Sequence, residues 1–239
     1  MIKRFFLFLL LLLTFFSPLN AVVEQFTNYD TTITLLENNT IKVEKIINLR
    51  NIHDVGIVPG QFDFKLTSSD GKPVEILDYK VLDRYDNEIK SKLVKNQDHT
   101  AIILNLFTPI LPGFEHVIKL DYTIKYEPSG IFFKKVQIPL KETTRLPILN
   151  GDVRVELQDG NTFTHISHFD NSTLIEGNVA TFSLNENSPS SLTFEYSFIP
   201  IRVGNIPGSL IFWTVINIIL LVVLAFEVKR EVAKIKARK

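Results

Sequence analysis

The chain has 239 residues, 26 Lys and Arg against 26 Asp and Glu, and no cysteine. Disulfides, thiol nucleophiles and thiolate metal sites are excluded, so any extracytoplasmic domain here needs a core adequate without covalent staples. Setting aside the eight basic and two acidic residues of the two ends leaves 18 Lys and Arg against 24 Asp and Glu, which argues against a nucleic-acid partner because phosphate neutralisation needs a basic surface.

The first element is a signal peptide, residues 1–21. Lys3 and Arg4 precede an apolar run from Phe5 to Phe16, and Pro18 leads to Ala21, the basic, apolar and small-residue parts of a cleavable leader. Leu19 occupies a position where a smaller side chain is usual. Left uncut, the segment would be a signal anchor and the chain would cross a membrane twice.

From Val22 onward the pattern has a period of two. Ile41, Val43, Ile47 and Leu49 alternate with polar positions, and Asn38-Asn39 before them suits a tight turn. Asn38-Asn39-Thr40 is also an acceptor triplet for an N-linked glycan. Further turn signals are Asp70-Gly71 and Asp86-Asn87; the acidic run Asp83 to Glu88 lacks the spacing of a calcium loop and reads as a solvated hairpin end. Phe107, Ile110, Leu111 and Phe114 then fall in a loop with Pro109 and Pro112. Exposed, this candidate interaction loop is an apolar patch suited to a partner; buried, it plugs the end of a sandwich or joins two domains.

The clearest strand is Ile118 to Tyr126, apolar at every second position, and it ends in Glu127-Pro128-Ser129-Gly130. That cluster is the expected boundary between a first β-sandwich over residues 22–127 and a second over residues 128–206, a single continuous sandwich being the alternative. Beyond it, strands are expected around Val153-Arg154-Val155-Glu156-Leu157, Thr162 to Phe169, Phe182 with Leu184, and Leu192 to Phe198, with turns at Asp159-Gly160 and Gly177-Asn178. His165 and His168 lie three apart, which on a strand sends them to opposite faces and makes no metal site. Asn171-Ser172-Thr173 is a second glycan acceptor triplet.

A short stalk, Val203 to Pro207, leads to the uncharged stretch Gly208 to Phe226. At about 1.5 Å per residue it is just long enough for a hydrocarbon core of about 30 Å, so residues 207–226 are read as a transmembrane helix. Asn217 is the strongly polar side chain near its middle and a candidate for helix association. Six basic residues against two acidic ones follow over 227–239, which places this tail in the cytoplasm and the β-rich part outside the cell membrane.

The order of leader, sandwich strands, the Leu111-Pro112-Gly113 turn running into Ile118-Lys119-Leu120-Asp121-Tyr122, and one span resembles ribophorin-type oligosaccharyltransferase subunits, and is similar to uncharacterised single-pass membrane proteins of prokaryotes. The resemblance implies an accessory, non-catalytic ectodomain and no catalytic residue; this ectodomain is far shorter than theirs. No Gly-x-Ser-x-Gly, Walker or dinucleotide fingerprint is present in the chain. The reading is an all-β ectodomain, without cofactor or metal, that binds a protein or envelope partner. A surface hydrolase using scattered carboxylates and a passive spacer are the alternatives.

Overall fold

The computed structural model describes residues 23–68, 71–142, 146–167, 173–185 and 187–237. The expected leader, His168 and Asn171 lie outside them. Strands β1 (Glu24–Leu36) and β2 (Thr40–Asn51) form a long antiparallel hairpin. Its turn holds Asn38 and Asn39 at φ 60° and 57°, the left-handed region that asparagine tolerates better than other side-chain-bearing residues. β7 (Glu115–Lys125) pairs with the free side of β2, and β4 (Ile76–Leu82) flanks β7. On the far side of β1 lie β9 (Gly151–Glu156), β12 (Val179–Leu184) and β11 (Leu174–Glu176). The seven-stranded sheet therefore runs β11-β12-β9-β1-β2-β7-β4.

Two three-stranded sheets complete the β-structure. β3 (Gly60–Leu66), β6 (Thr100–Leu106) and β5 (Ser91–Lys95) make one, and β10 (Thr162–Ser167), β13 (Ser191–Ser197) and β8 (Lys134–Pro139) the other. In the large sheet the rows Tyr29, Ile47, Ile118 and Ile33, Val43, Tyr122 lie in register, and every one of these side chains is buried. The intervening Thr32, Lys42, Glu44 and Asp121 remain partly exposed. Only one face of the large sheet is dry, as the period-two pattern predicts. The small sheets cover that face: Phe26 of β1 contacts Phe62 and Phe64 of β3, and the Tyr126 and Tyr196 hydroxyls meet at 3.1 Å. One hydrophobic core runs through both contacts.

Glu127-Pro128-Ser129-Gly130 separates the strands of the two small sheets, but the large sheet draws on both sides of it. The link is the parallel pairing of Thr31–Thr34 with Val153–Glu156. β9 enters at Gly151, where an added Cβ would stand 2.4 Å from the Tyr29 carbonyl oxygen, so only glycine allows this approach.

The C-terminal element is helix α1 (Gly208–Ala237), long and apolar enough to span a membrane. It continues without a break into the basic segment that the sequence reading separates as a tail.

Candidate interaction surfaces

Among the described residues, the buried carboxylates are Glu142 and Glu195. Glu142, on the segment after β8, accepts hydrogen bonds from the Tyr29 and Tyr122 hydroxyls and lies 3.0 Å from the Lys45 ammonium. Lys45 also donates to the Leu140 carbonyl and the Thr31 hydroxyl. Burial holds the lysine below its ordinary range despite the nearby carboxylate, and burial together with the Glu142 charge pushes both tyrosine hydroxyls well up. All four groups are thus paired with one another in the core, an arrangement that locks the 140–142 segment onto the large sheet.

At the end where β2 stops, Asn51 is fully buried. Its amide nitrogen donates to the Val55 and Ile110 carbonyls at 2.8 Å each, and its side-chain oxygen accepts from the His53 backbone N–H. Backbone bonds from Asn51 to Phe114 and from Gly113 to Asn51 close the arrangement. One side chain therefore pins two neighbouring loops, residues 52–58 and 107–114, and Ile57 and Ile110 bridge them. The predicted interaction loop divides accordingly. Ile110 is 4% exposed and plugs the sandwich, whereas Phe107, Leu111 and Phe114 are 67%, 58% and 66% exposed. Ile52, Val55 and Val58 on the adjoining loop are exposed as well.

The opposite end carries the helix. Glu195 of β13 accepts hydrogen bonds from the Thr164 hydroxyl and from both the backbone N–H and the hydroxyl of Ser209. A carboxylate at a helix N-terminus meets unpaired N–H groups and the positive end of the helix dipole. Burial works to raise its pKa, but the hydrogen bonds from Ser209 and Thr164 outweigh it and hold the carboxyl below the ordinary glutamate range. Gly208 is packed so closely that a Cβ would lie 2.6 Å from the Ile201 carbonyl oxygen and 2.7 Å from the Thr164 Cβ. Phe212 then packs at a tilt against Phe132 and Phe133 at ring separations of 6.0 and 5.4 Å. Alternation along β13 predicts a solvated face at Glu195 and Ser197; both are buried instead. The first turn of α1 sits on Glu195, and Ser197 donates to the Phe132 carbonyl.

Between β8, the end of β7 and the loop before β4 lies a cleft of about 700 Å³ lined by Lys72–Glu75, Ile124–Glu127 and Lys135–Pro139. Its acidic side chains, Glu75 and Glu127, are exposed. Among the described residues, no group of three metal-ligating side chains is placed to hold an ion. Asn38 lies exposed in the β1–β2 turn, where the Thr40 hydroxyl of the acceptor triplet bonds the Glu37 carbonyl. Asn217 faces outward on α1 with no hydrogen-bond partner among the described residues.

No family model matches the chain, and no curated protein matches it. Among solved structures, it is similar to a candidate nutrient-binding protein of Legionella pneumophila at TM-score 0.51 and 11% identity, covering 73% of this chain and 67% of that one. An M1 zinc metallopeptidase of Deinococcus radiodurans aligns at TM-score 0.43 and 11% identity, over 76% of this chain and 44% of the peptidase. Leukotriene A4 hydrolase of Saccharomyces cerevisiae aligns at TM-score 0.47 and 8% identity, over 74% of this chain and 30% of the hydrolase. The Legionella likeness is one of fold.

Sequence reasoning missed Lys45, Glu142, Asn51 and Glu195 as organising residues. Lys45 and Asn51 had a signal, since both occupy odd-numbered positions of β2 otherwise filled by Ile41, Val43, Ile47 and Leu49. A polar residue in the dry register demands a buried partner. Glu142 had none, because its position outside any strand says nothing about where its carboxylate goes.

Proposed function

We propose that the protein is a non-catalytic, membrane-anchored binding module. In this reading α1 crosses the cell membrane with its basic end in the cytoplasm, the β-ectodomain stands outside, and the loops at the end far from the helix engage a protein partner. The observation that carries it is the set of exposed apolar side chains, Phe107, Leu111 and Phe114 with Ile52, Val55 and Val58, on loops already ordered by a buried asparagine. Such a cluster marks protein contact sites, and binding to it loses little further loop entropy. Both buried carboxylates being held in internal hydrogen bonds supports the non-catalytic part of the reading. An accessory subunit of a membrane complex is the form of binding module that fits a single anchor.

The test is purification of the full-length protein from its native membrane in mild detergent beside the triple variant Phe107→Ser, Leu111→Ser, Phe114→Ser. A stoichiometric protein partner that is lost from the triple variant is the expected result. Retention of that partner by the triple variant, or recovery of the protein alone, overturns it. Loss with Asn217→Leu instead moves the contact into the span.

A further inference from the structure

The helix does not leave the ectodomain through a free stalk. Its first turn is part of the ectodomain: Glu195 receives Ser209, Gly208 is wedged against Ile201 and Thr164, and Phe212 packs on Phe132 and Phe133. That docking conflicts with simple exposure of the base to water. From Gly208 to Phe226 the helix rises about 28 Å, and from Trp213 to Phe226 only about 20 Å, against a hydrocarbon core of about 30 Å. A span that began below the docked turn would be much too short. With α1 crossing a bilayer, its full apolar length is used only when the docked turn lies at the lipid boundary, which brings the ectodomain residues packed around it to the same depth.

Those residues are suited to that position. Ile131 is 82% exposed, and Phe132, Phe198 and Ile206 are exposed beside it. Phe132 contacts both Phe198 and Phe212, and Phe212 contacts Trp213, so the apolar surface is continuous from the ectodomain to the span. Lys134, Lys135 and Arg202, all exposed, neighbour these residues in the chain. Aromatic groups with flanking basic residues are the composition of a membrane interface.

Building on the membrane-anchored reading above, we propose that the base of the ectodomain is itself a lipid-contact surface, with Ile131, Phe132, Phe198 and Ile206 seated in the outer interface of the bilayer that α1 crosses. The ectodomain then stands on the membrane as one body with its helix, held at a defined orientation rather than swinging on a tether, and it presents the loops around Asn51 outward.

The absence of native cysteine makes the test direct. Full-length single-cysteine variants Ile131→Cys, Phe198→Cys, Phe114→Cys and Val222→Cys, each carrying an environment-sensitive nitrobenzoxadiazole label, are reconstituted into phosphatidylcholine/phosphatidylglycerol vesicles. Spin-labelled lipids quench the label from a shallow or a deep chain position. The proposal expects shallow quenching at residues 131 and 198 several-fold above that at 114, and deep quenching at 222. Quenching at 222 with 131 and 198 as unquenched as 114 overturns the proposal while leaving the membrane anchor intact. An unquenched label at 222 overturns both.

Discussion

The two ends of the sandwich both expose large apolar side chains, yet each is organised by a different buried polar group. Where β2 ends, the neutral amide of Asn51 supplies two donors to loop carbonyls and one acceptor to a backbone N–H. At the base, the Glu195 carboxylate supplies only acceptors, to two hydroxyls and to the Ser209 N–H at the start of α1. What is being held dictates the holder. Irregular loops present both carbonyls and N–H groups and need an amide, whereas a helix N-terminus presents unpaired N–H groups and is best met by an anion. β2 rises about 3.3 Å per residue, so its 12 residues put the Asn51 loops roughly 40 Å from the turn at Asn39. Tyr126, which bonds that turn and meets Tyr196 beside Glu195, marks it as the helix-bearing end.

Both ends are built on one hydrophobic core, and the largest expected effect lies between them. Glu142→Leu leaves the Lys45 charge buried without its partner, a loss of about 3–5 kcal/mol, equivalent to a fall in Tm on the order of 10 °C for a domain this size. Thermal unfolding followed by circular dichroism measures this, and adding Lys45→Met to the same chain should restore much of the loss; no recovery would mean that packing, and not charge, accounts for the effect.

Asn51→Leu acts on one end alone. It orphans the Val55 carbonyl and the His53 N–H, and is expected to cost about 2 kcal/mol. Hydrogen exchange should quicken across residues 52–58 and 110–114 and stay unchanged at Ser209. Acceleration at both ends would erase the distinction between them.

Glu195→Gln is the matching change at the base, with an expected loss of about 1 kcal/mol, typical of a helix cap. It also has a pH signature. The folded carboxyl titrates below its ordinary value of 4.5, so between the two values the unfolded chain binds the extra proton. Its contribution is present above pH 4.5 and disappears as pH falls through the folded value. The difference in Tm between wild type and Glu195→Gln should therefore shrink on acidification below pH 4.5; a difference that stays constant would remove the charged cap.

The smallest effect on stability belongs to the triple serine variant of Phe107, Leu111 and Phe114. Exposed side chains away from structural contacts usually change stability within about 0.5 kcal/mol each, so Tm should hardly move while partner recovery is lost. A large drop in Tm would show that the three residues support the fold and would undercut their reading as a binding surface.

Much of the fold is legible locally. Asn38 and Asn39, Gly71, Asp86, Gly160 and Gly177, the turn positions expected from the sequence, all adopt positive φ. The alternating run Ile118 to Tyr126 lies in β7 up to Lys125, and the run Leu192 to Phe198 in β13 up to Ser197, each strand stopping one residue short of the expected end. The candidate surface was partly legible: residues 107–114 stand out as apolar and proline-rich, but nothing in them reveals that Ile110 turns inward while its neighbours face out. Likewise the alternation of β13 identifies Glu195 as polar without showing that a helix covers it.

The sequence by itself determined the elements that depend on neighbouring residues: the all-β character, the turns, and an apolar helix long enough to span a membrane. Period-two alternation, tolerance of left-handed backbone and a long uncharged run are short-range properties. Only the tertiary structure decided that β1 pairs in parallel with β9 across the expected boundary, that Lys45 finds Glu142 inside the core, and that β13 serves as the seat of α1. These arrangements join residues about 15 to 120 positions apart. Each depends on which sheet edges and faces remain to be covered once the strands have formed, and that is a property of the assembled core.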